Sequence, residues 1–137
     1  MVHRILLLED NPADARLMIE AYRELELEVD VDTVPSAQEA ITYMDDAVRN
    51  GMVPRVAILD INLPAGSGLD VLRHIRAQNA LRDLVVIMLT TSDADQDIHA
   101  AKEQGATTYY IKPPDLEGFL SLVQEIQSFW VDRQAAP

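Results

Sequence analysis

The stretch VAILDINLP at residues 56–64 decides the fold of this chain. A short apolar run closed by Asn and Pro predicts a buried strand that leads into a turn. The run ends on Asp60, so the carboxylate lies at the carboxyl end of that strand. Open α/β sheets place their sites at such strand ends. Asp60 is therefore the first candidate for a functional residue.

Three more apolar runs end on polar residues, and together they extend the pattern. Residues 5–8 precede Glu9 and Asp10, residues 84–89 precede Thr90, and residues 109–111 precede Lys112. Helix-period segments alternate with these runs, which is typical of a parallel α/β domain. The predicted strands are about 4–8, 29–34, 55–60, 84–89 and 108–111.

Helix signals fill the intervals between the predicted strands. Helices are predicted to start at Asn11 with Pro12, at Ser36, after Gly68, at Asp93 or Asp95, and at Asp115. Gly51 and Gly105 are predicted to end helices two and four, and helix five runs to about Arg133. Five βα units fit a doubly wound, five-stranded parallel sheet in the order 2-1-3-4-5. In that order the ends of strands one, three, four and five lie close together. The polar residues that end them should therefore converge in one crevice.

The bulk composition indicates one soluble domain over residues 1–137, with helix five and the tail at about 116–137. The chain is 48% hydrophobic and 25% charged, without cysteine, and has no apolar run long enough to span a membrane. The absence of cysteine and of a signal-peptide pattern suits a cytoplasmic protein. A formal charge of −12 argues against direct binding to nucleic acid or to anionic membranes, and is compatible with a basic protein partner or a cation.

The converging residues suggest chemistry on phosphate. Three carboxylates, from Glu9, Asp10 and Asp60, repel one another unless a proton or a cation intervenes. Oxygen ligands without His or Cys suit Mg²⁺. Lys112 adds a positive charge and Thr90 a hydroxyl donor, which together suit a phosphoryl group. Asp60 is the natural nucleophile, because a carboxylate can form an aspartyl-phosphate.

At this point the chain resembles the receiver domains of two-component response regulators. The resemblance runs from Ile5 to about Trp130, nearly the whole length. The matching motifs are Glu9-Asp10, residues 60–68 (DINLPAGSG), residues 90–92 (TTS) and residues 109–113 (YYIKP). The resemblance implies a flavodoxin-like receiver fold.

The resemblance also implies a role for each site residue. Asp60 would accept a phosphoryl group from the phosphohistidine of a sensor histidine kinase. Asp10 and Asp60 would ligate Mg²⁺ directly, Asn62 through its main-chain carbonyl and Glu9 through water. Lys112 would pair with the phosphoryl oxygens, and its bond to Pro113 would be cis. Thr90 would hydrogen-bond the phosphoryl group, and Tyr109 would be the rotating aromatic switch.

Finer features point to a subfamily and to departures from the family pattern. Residues 110–119 (YIKPPDLEGF), residues 89–92 and the Phe129-Trp130 ending are similar to receivers that partner bacterial phytochrome kinases, which implies a light-regulated donor. Thr91 stands where a very small residue is common, so its bulk is expected to slow small phosphodonors. Asn62 and Ser92 occupy the two positions that tune phosphate lifetime in the family.

Output from the domain is expected through protein contacts. The chain ends at Pro137 soon after helix five, so we expect a stand-alone receiver or the receiver part of a longer protein. Helix four carries few large apolar residues and is a candidate moving part. Leu120, Phe129 and Val131 lie outside the inward stripe of helix five, which predicts a homodimer surface.

Two alternatives to a signalling receiver remain open. The first is an enzyme, a Mg²⁺-dependent phosphatase or phosphotransferase that works through an aspartyl-phosphate. The residue after Ile61 is Asn62, so the second Asp of haloacid-dehalogenase phosphatases is missing, and we expect no enzyme. The second is a pseudo-receiver that only binds partners. It would need a broken acid, Thr or Lys position, and none is broken here.

Overall fold

The computed structural model of the protein describes residues 3–91 and 95–135, with side chains described through residue 129. Its strands are β1 (His3–Leu8), β2 (Val29–Val34), β3 (Val56–Asp60), β4 (Val85–Thr90) and β5 (Thr108–Ile111). Its helices are α1 (Pro12–Glu24), α2 (Ala37–Asn50), α3 (Gly68–Arg76), α4 (Asp95–Glu103) and α5 (Leu116–Ala135), with a 3-10 turn at Asn79–Leu81.

The strands form one parallel sheet in the order β2-β1-β3-β4-β5, which confirms the predicted fold class and order. Every residue of β3 and β4 is buried, as expected for central strands covered on both faces. One apolar cluster packs α1 and α5 on one face of the sheet. A second cluster packs α2, α3 and Ala101 of α4 on the other face. This is the doubly wound α/β arrangement that the resemblance implies.

The predicted caps fix the helix ends around the crevice. The Asn11 side chain accepts hydrogen bonds from the backbone N–H groups of Ala13 and Asp14 at 2.9 and 3.4 Å, with Pro12 at the first helical position. Ser67 caps α3 reciprocally with Asp70, and its hydroxyl donates to the Ile61 carbonyl at 3.2 Å. The start of α3 is therefore tied to the loop that follows Asp60.

Helix α5 departs from the sequence expectation. Leu120 and Phe129 are half-buried and pack against the core cluster that includes α1. The expectation that these two side chains are left over is therefore wrong, because the apolar face of α5 is wider than a single narrow stripe. The side chains of Val131 and Trp130 lie outside the described residues, as do Ser92 and Asp93. The homodimer remains a prediction.

Helix α4 is lightly anchored, as the sequence suggests. Ala101 is its buried residue, while Ile98 is only half-buried. Few buried contacts make a helix easier to displace. Within the parts of the chain that the structure describes, no helix combines the length and hydrophobicity that crossing a bilayer requires.

Candidate functional site

The predicted convergence of strand ends is present in the structure. Asp60 ends β3 and Thr90 ends β4, while Glu9 follows β1 directly, and all three residues are buried. Lys112 follows β5 and its side chain is 8% exposed. Charged groups are rarely buried unless they are paired. The burial of three ionisable groups therefore marks this crevice as the candidate site.

Lys112 is the centre of an ion-pair network. Its Nζ lies 2.9 Å from Asp60 Oδ2, 2.8 Å from Glu9 Oε1 and 3.1 Å from Asp14 Oδ2. Burial alone would lower the pKa of this amine. The hydrogen bonds to Glu9 and Asp60 outweigh that effect, so the net pKa of Lys112 is raised. The amine is therefore a fixed positive charge at the carboxylate of Asp60.

Glu9 has a different electrostatic balance. Burial is the largest effect and raises its pKa to about 7, although Lys112 and the Asn11 N–H both favour the charged form. The Asn11 N–H donates to Glu9 Oε2 at 3.1 Å, so both carboxylate oxygens are engaged. The nearby charge of Asp60 also raises the pKa. The site therefore contains one acid that does not ionise freely.

The acids are close enough to share a cation. Carboxylate oxygens of Glu9, Asp10 and Asp60 lie within 4.8 Å of one another. These are hard oxygen donors without His or Cys, the set that Mg²⁺ and similar divalent ions prefer. Asp60 Oδ1 also accepts a hydrogen bond from the Asn62 N–H at 2.9 Å. The three predicted acidic ligands are therefore brought together at one point.

Asn62 joins the loop after β3 to the loop after β4. Its Oδ1 lies 3.2 Å from Thr90 Oγ1, 3.0 Å from Thr91 N and 3.1 Å from Thr91 Oγ1. Thr90 is fully buried, whereas Asn62 and Thr91 are exposed. The predicted switch threonine is thus bonded to a side chain two residues beyond Asp60.

Tyr109 lies on the same face of the sheet as Thr90. It pairs in register with Met88 of β4, and Thr90 pairs with Ile111. Its ring is half-buried and packs against the α2–α3 cluster. Lys102 Nζ of α4 lies 5.5 Å from the ring centroid, within cation–π range. The predicted switch aromatic therefore contacts the lightly anchored helix.

Asp14 belongs to the site, although the sequence pattern alone does not indicate it. It is the third helical residue of α1, and its carboxylate, 23% exposed, pairs with Lys112. The available signal was the acidic first turn after the Asn11 cap, but acidic first turns are common because of the helix dipole. Only the packing of α1 shows that this acid faces the crevice.

The predicted cis bond between Lys112 and Pro113 is wrong. Among the described residues no peptide bond is cis. The preference for trans before proline is only about 0.5–1 kcal/mol, so local packing selects the isomer. In this structure Lys112 reaches Asp60 with a trans bond.

A groove opens beside the acids, between α1 and the end of β2. Its volume is about 570 Å³, and Glu9 and Asp10 are among its lining residues. Other lining residues are Ala15, Ile19 and Pro35, together with the charged residues Arg16, Glu20 and Arg23. An apolar surface therefore lies next to the acid cluster.

The chain is similar to known proteins over most of its length. The family model described as the response regulator receiver domain matches residues 5–124. The chain is 33% identical over 134 residues to the probable methanogenesis regulatory protein FilR2 of Methanothrix harundinacea, covering 97% of this chain and 86% of that protein. It is 30% identical over 135 residues to the response regulator Rcp1 of Synechocystis, covering 97% and 92%.

Solved structures give the same result. The phosphorylated cyanobacterial phytochrome response regulator RcpA superposes with a TM-score of 0.86 at 32% identity, covering 96% of this chain and 95% of that one. The Mn²⁺-bound form of Rcp1 gives a TM-score of 0.81 at 31% identity, covering 93% and 94%. The similarity extends over nearly the whole of each chain.

Proposed function

This chain belongs to the response regulator receiver domains, and from that premise we propose that Asp60 accepts a phosphoryl group from a sensor histidine kinase. The observation that carries the proposal is the position of Asp60. Its buried carboxylate has Lys112 Nζ at 2.9 Å and shares the acid cluster with Glu9 and Asp10. A positive charge next to the nucleophile suits a reaction in which negative charge accumulates on phosphoryl oxygens.

The proposed step is a direct transfer. A carboxylate oxygen of Asp60 attacks the phosphorus of a phosphohistidine, so an O–P bond forms while the N–P bond breaks. The electron pair of the broken bond remains on the imidazole nitrogen. Lys112 stays close to the transferred oxygens through its pairs with Glu9 and Asp14. The product is an aspartyl-phosphate.

We propose Mg²⁺ as the cofactor, since the donors are carboxylate and carbonyl oxygens. Asp10 and Asp60 would bind it directly, Asn62 through its main-chain carbonyl, and Glu9 through water. When bound, the ion neutralises the charge of the acids and of the incoming phosphoryl oxygens. The Mn²⁺-bound form of Rcp1 is a relative that holds a divalent ion.

We propose that Thr90 and Tyr109 carry the signal outward. The Thr90 hydroxyl would turn to the phosphoryl group, and Tyr109, on the same face, would follow and shift against α4. The Lys102 contact to the ring and the light packing of α4 support a change at this surface. The output is then a change in a protein-binding surface rather than turnover of a substrate, so the chain is not proposed as an enzyme.

The proposed donor is a phytochrome-type histidine kinase. The support is the likeness to Rcp1 and to RcpA, which is a phytochrome response regulator. The groove beside Glu9 and Asp10 is the proposed contact for the kinase, because a donor seated there would deliver its histidine to the acid cluster. Its walls are mainly apolar, which suits burial against a helix of the kinase.

The test is transfer from a phosphorylated kinase. A phytochrome-type histidine kinase, labelled on its histidine, is mixed with the wild type and with Asp60→Asn. The proposal predicts that label moves to the wild type within the first sampling times and that Asp60→Asn stays unlabelled. If the label stays on the phytochrome-type kinase but an unrelated histidine kinase does transfer its label to the wild type, only the phytochrome link is refuted. Labelling of Asp60→Asn would refute the acceptor.

We also propose a homodimer, with α5 as the candidate surface. Leu120 and Phe129 are only half-buried although they pack on the core, so part of each remains available to a partner. Sedimentation of the protein with and without Mg²⁺ and a phosphodonor tests this directly. A single monomeric species in both conditions would contradict it.

A further inference from the structure

The Asn62 carboxamide is oriented by its neighbours. The Thr91 backbone N–H can only donate, so the atom 3.0 Å from it must be the amide oxygen. The Thr90 and Thr91 hydroxyls at 3.2 and 3.1 Å therefore donate to the same oxygen. Three donors from two consecutive residues thus meet one acceptor.

These three donors compete. A carbonyl oxygen has two lone pairs, so three donors cannot all be satisfied equally. The Thr90 hydroxyl is the most distant of the three, although the differences are small. Thr91 is exposed, so water can serve its groups, whereas Thr90 is fully buried. Buried hydroxyl groups are hydrogen-bonded in folded proteins, so the Asn62 oxygen is an acceptor that a phosphoryl oxygen would have to replace.

Asn62 is also linked to the proposed acceptor residue. Its N–H donates to Asp60 Oδ1 at 2.9 Å, and it lies two residues beyond Asp60 in the chain. A phosphoryl group on Asp60 would bring new acceptor oxygens to the crevice that Thr90 faces. Asn62 and the phosphoryl group would then compete for the same hydroxyl proton.

We propose that the Asn62 side chain is a positioning residue that holds the Thr90 hydroxyl away from Asp60 until a phosphoryl group displaces it. This inference rests on the proposed function. It adds that Asn62 sets how readily the Thr90 hydroxyl turns to the phosphoryl group. The Thr91 donors keep Asn62 attached to the loop after β4. When the Thr90 hydroxyl turns to the phosphoryl group, which we call closure, its hydrogen bond to Asn62 is lost. Removing that hydrogen bond by mutation therefore favours the closed state.

A double-mutant cycle tests the proposal. Beryllofluoride, which bonds to a carboxylate oxygen as a phosphoryl mimic, is titrated with Mg²⁺ into the wild type, Asn62→Leu, Thr90→Val and the double variant. Leucine keeps the branched shape of the Asn62 side chain and the main-chain carbonyl but removes the acceptor. Asn62→Leu should bind the mimic about 2- to 10-fold more tightly, the range expected for one neutral hydrogen bond. In the Thr90→Val background the same change should give no gain.

Other outcomes have separate meanings. An equal gain in both backgrounds would show that Asn62 acts without Thr90 and would overturn the inference. Weaker binding by Asn62→Leu would show that Asn62 assists closure, which also overturns it. Circular dichroism checks folding, and Asn62→Ala replaces the leucine variant if that one does not fold. If neither the wild type nor Asp60→Asn binds the mimic, the proposed function itself fails, and this inference fails with it.

Discussion

Lys112 Nζ lies 2.9 Å from Asp60 Oδ2, so a residue after the edge strand β5 is paired with the last residue of the central strand β3. The same amine contacts Glu9 and Asp14. One positive charge thus offsets mutual repulsion among acids that come from three other parts of the chain. The crevice is held together by the group that is also proposed to meet the phosphoryl oxygens.

Replacing Lys112 with Met should destabilise the protein. Removing one partner of a buried ion pair leaves uncompensated charge and costs about 3–5 kcal/mol. Mg²⁺ should restore part of this loss, because it binds the same acids. Urea unfolding with Mg²⁺ or with EDTA measures both effects, and Lys102→Met is the control for loss of an exposed lysine. Equal stability of Lys112→Met and Lys102→Met would contradict the account.

Replacing Asp14 with Asn should weaken Mg²⁺ binding. The change removes a negative charge near the site. It also leaves Lys112 more firmly paired with Glu9 and Asp60. Both effects lower the affinity of the acids for Mg²⁺. We expect about a 2- to 10-fold loss of affinity, as for a charge interaction of about 1 kcal/mol at a partly exposed site. Calorimetric titration measures it. Asp30→Asn, on the edge strand β2, matches the change in net charge and should have no effect. Unchanged affinity in Asp14→Asn would show that the Lys112 contact is incidental.

Replacing Gly68 with Ala should disturb the site sterically. A Cβ at this position would clash with the main-chain oxygen of Asp60, so α3 or β3 must move. We expect a loss of about 1–3 kcal/mol of stability, typical of overpacking, and slower phosphorylation of Asp60.

Gly51→Ala provides the matched control for Gly68→Ala. Its Cβ would meet nothing within 4 Å, but its φ of +67° should cost about 1 kcal/mol without touching the site. Thermal melting and phosphorylation kinetics are compared for the two variants. Normal kinetics in Gly68→Ala would show that Asp60 tolerates a shift of α3.

Replacing Ile19 with Lys should separate the two kinds of phosphodonor. Ile19 lines the groove next to Glu9 and Asp10, so a charge there should impair docking of the kinase but not entry of a small donor. Transfer from the kinase should fall by about tenfold or more, as for an interface residue worth over 1 kcal/mol. Met52→Lys, at an exposed site near the opposite end of the sheet, is the control. An equal loss with both donors would place the effect on Asp60 rather than on docking.

The sequence was sufficient for the sheet and for most of the site. Parallel strands bring their carboxyl ends to one edge, so the residues that end the apolar runs could be brought together without coordinates. Asp60, Glu9, Thr90 and Lys112 follow from that rule alone. The bounds of β2 and β5 also match the predicted strands, and a proline stands shortly after each of them, Pro35 after β2 and Pro113 after β5.

The rest depends on packing that sequence patterns do not specify. Asp14 faces Lys112 only because α1 is rotated so that its first turn overlooks the crevice. The Asn62 contacts to Thr90 and Thr91 depend on the conformation of two loops. Helical periodicity did not show that Leu120 and Phe129 also contact the core. The isomer before Pro113 is set by a small energy difference that a motif does not fix.

The most direct measurement is the intact mass of the protein after incubation with a small phosphodonor, with and without Mg²⁺, beside Asp60→Asn. Because Thr91 is expected to slow small donors, Thr91→Ser, which keeps the hydroxyl that bonds Asn62, is measured in parallel. We expect a gain of one phosphoryl group that requires both Mg²⁺ and Asp60, and that forms faster in Thr91→Ser. A gain that persists in Asp60→Asn, or no gain in either protein with small donors or with a phosphorylated kinase, would contradict it.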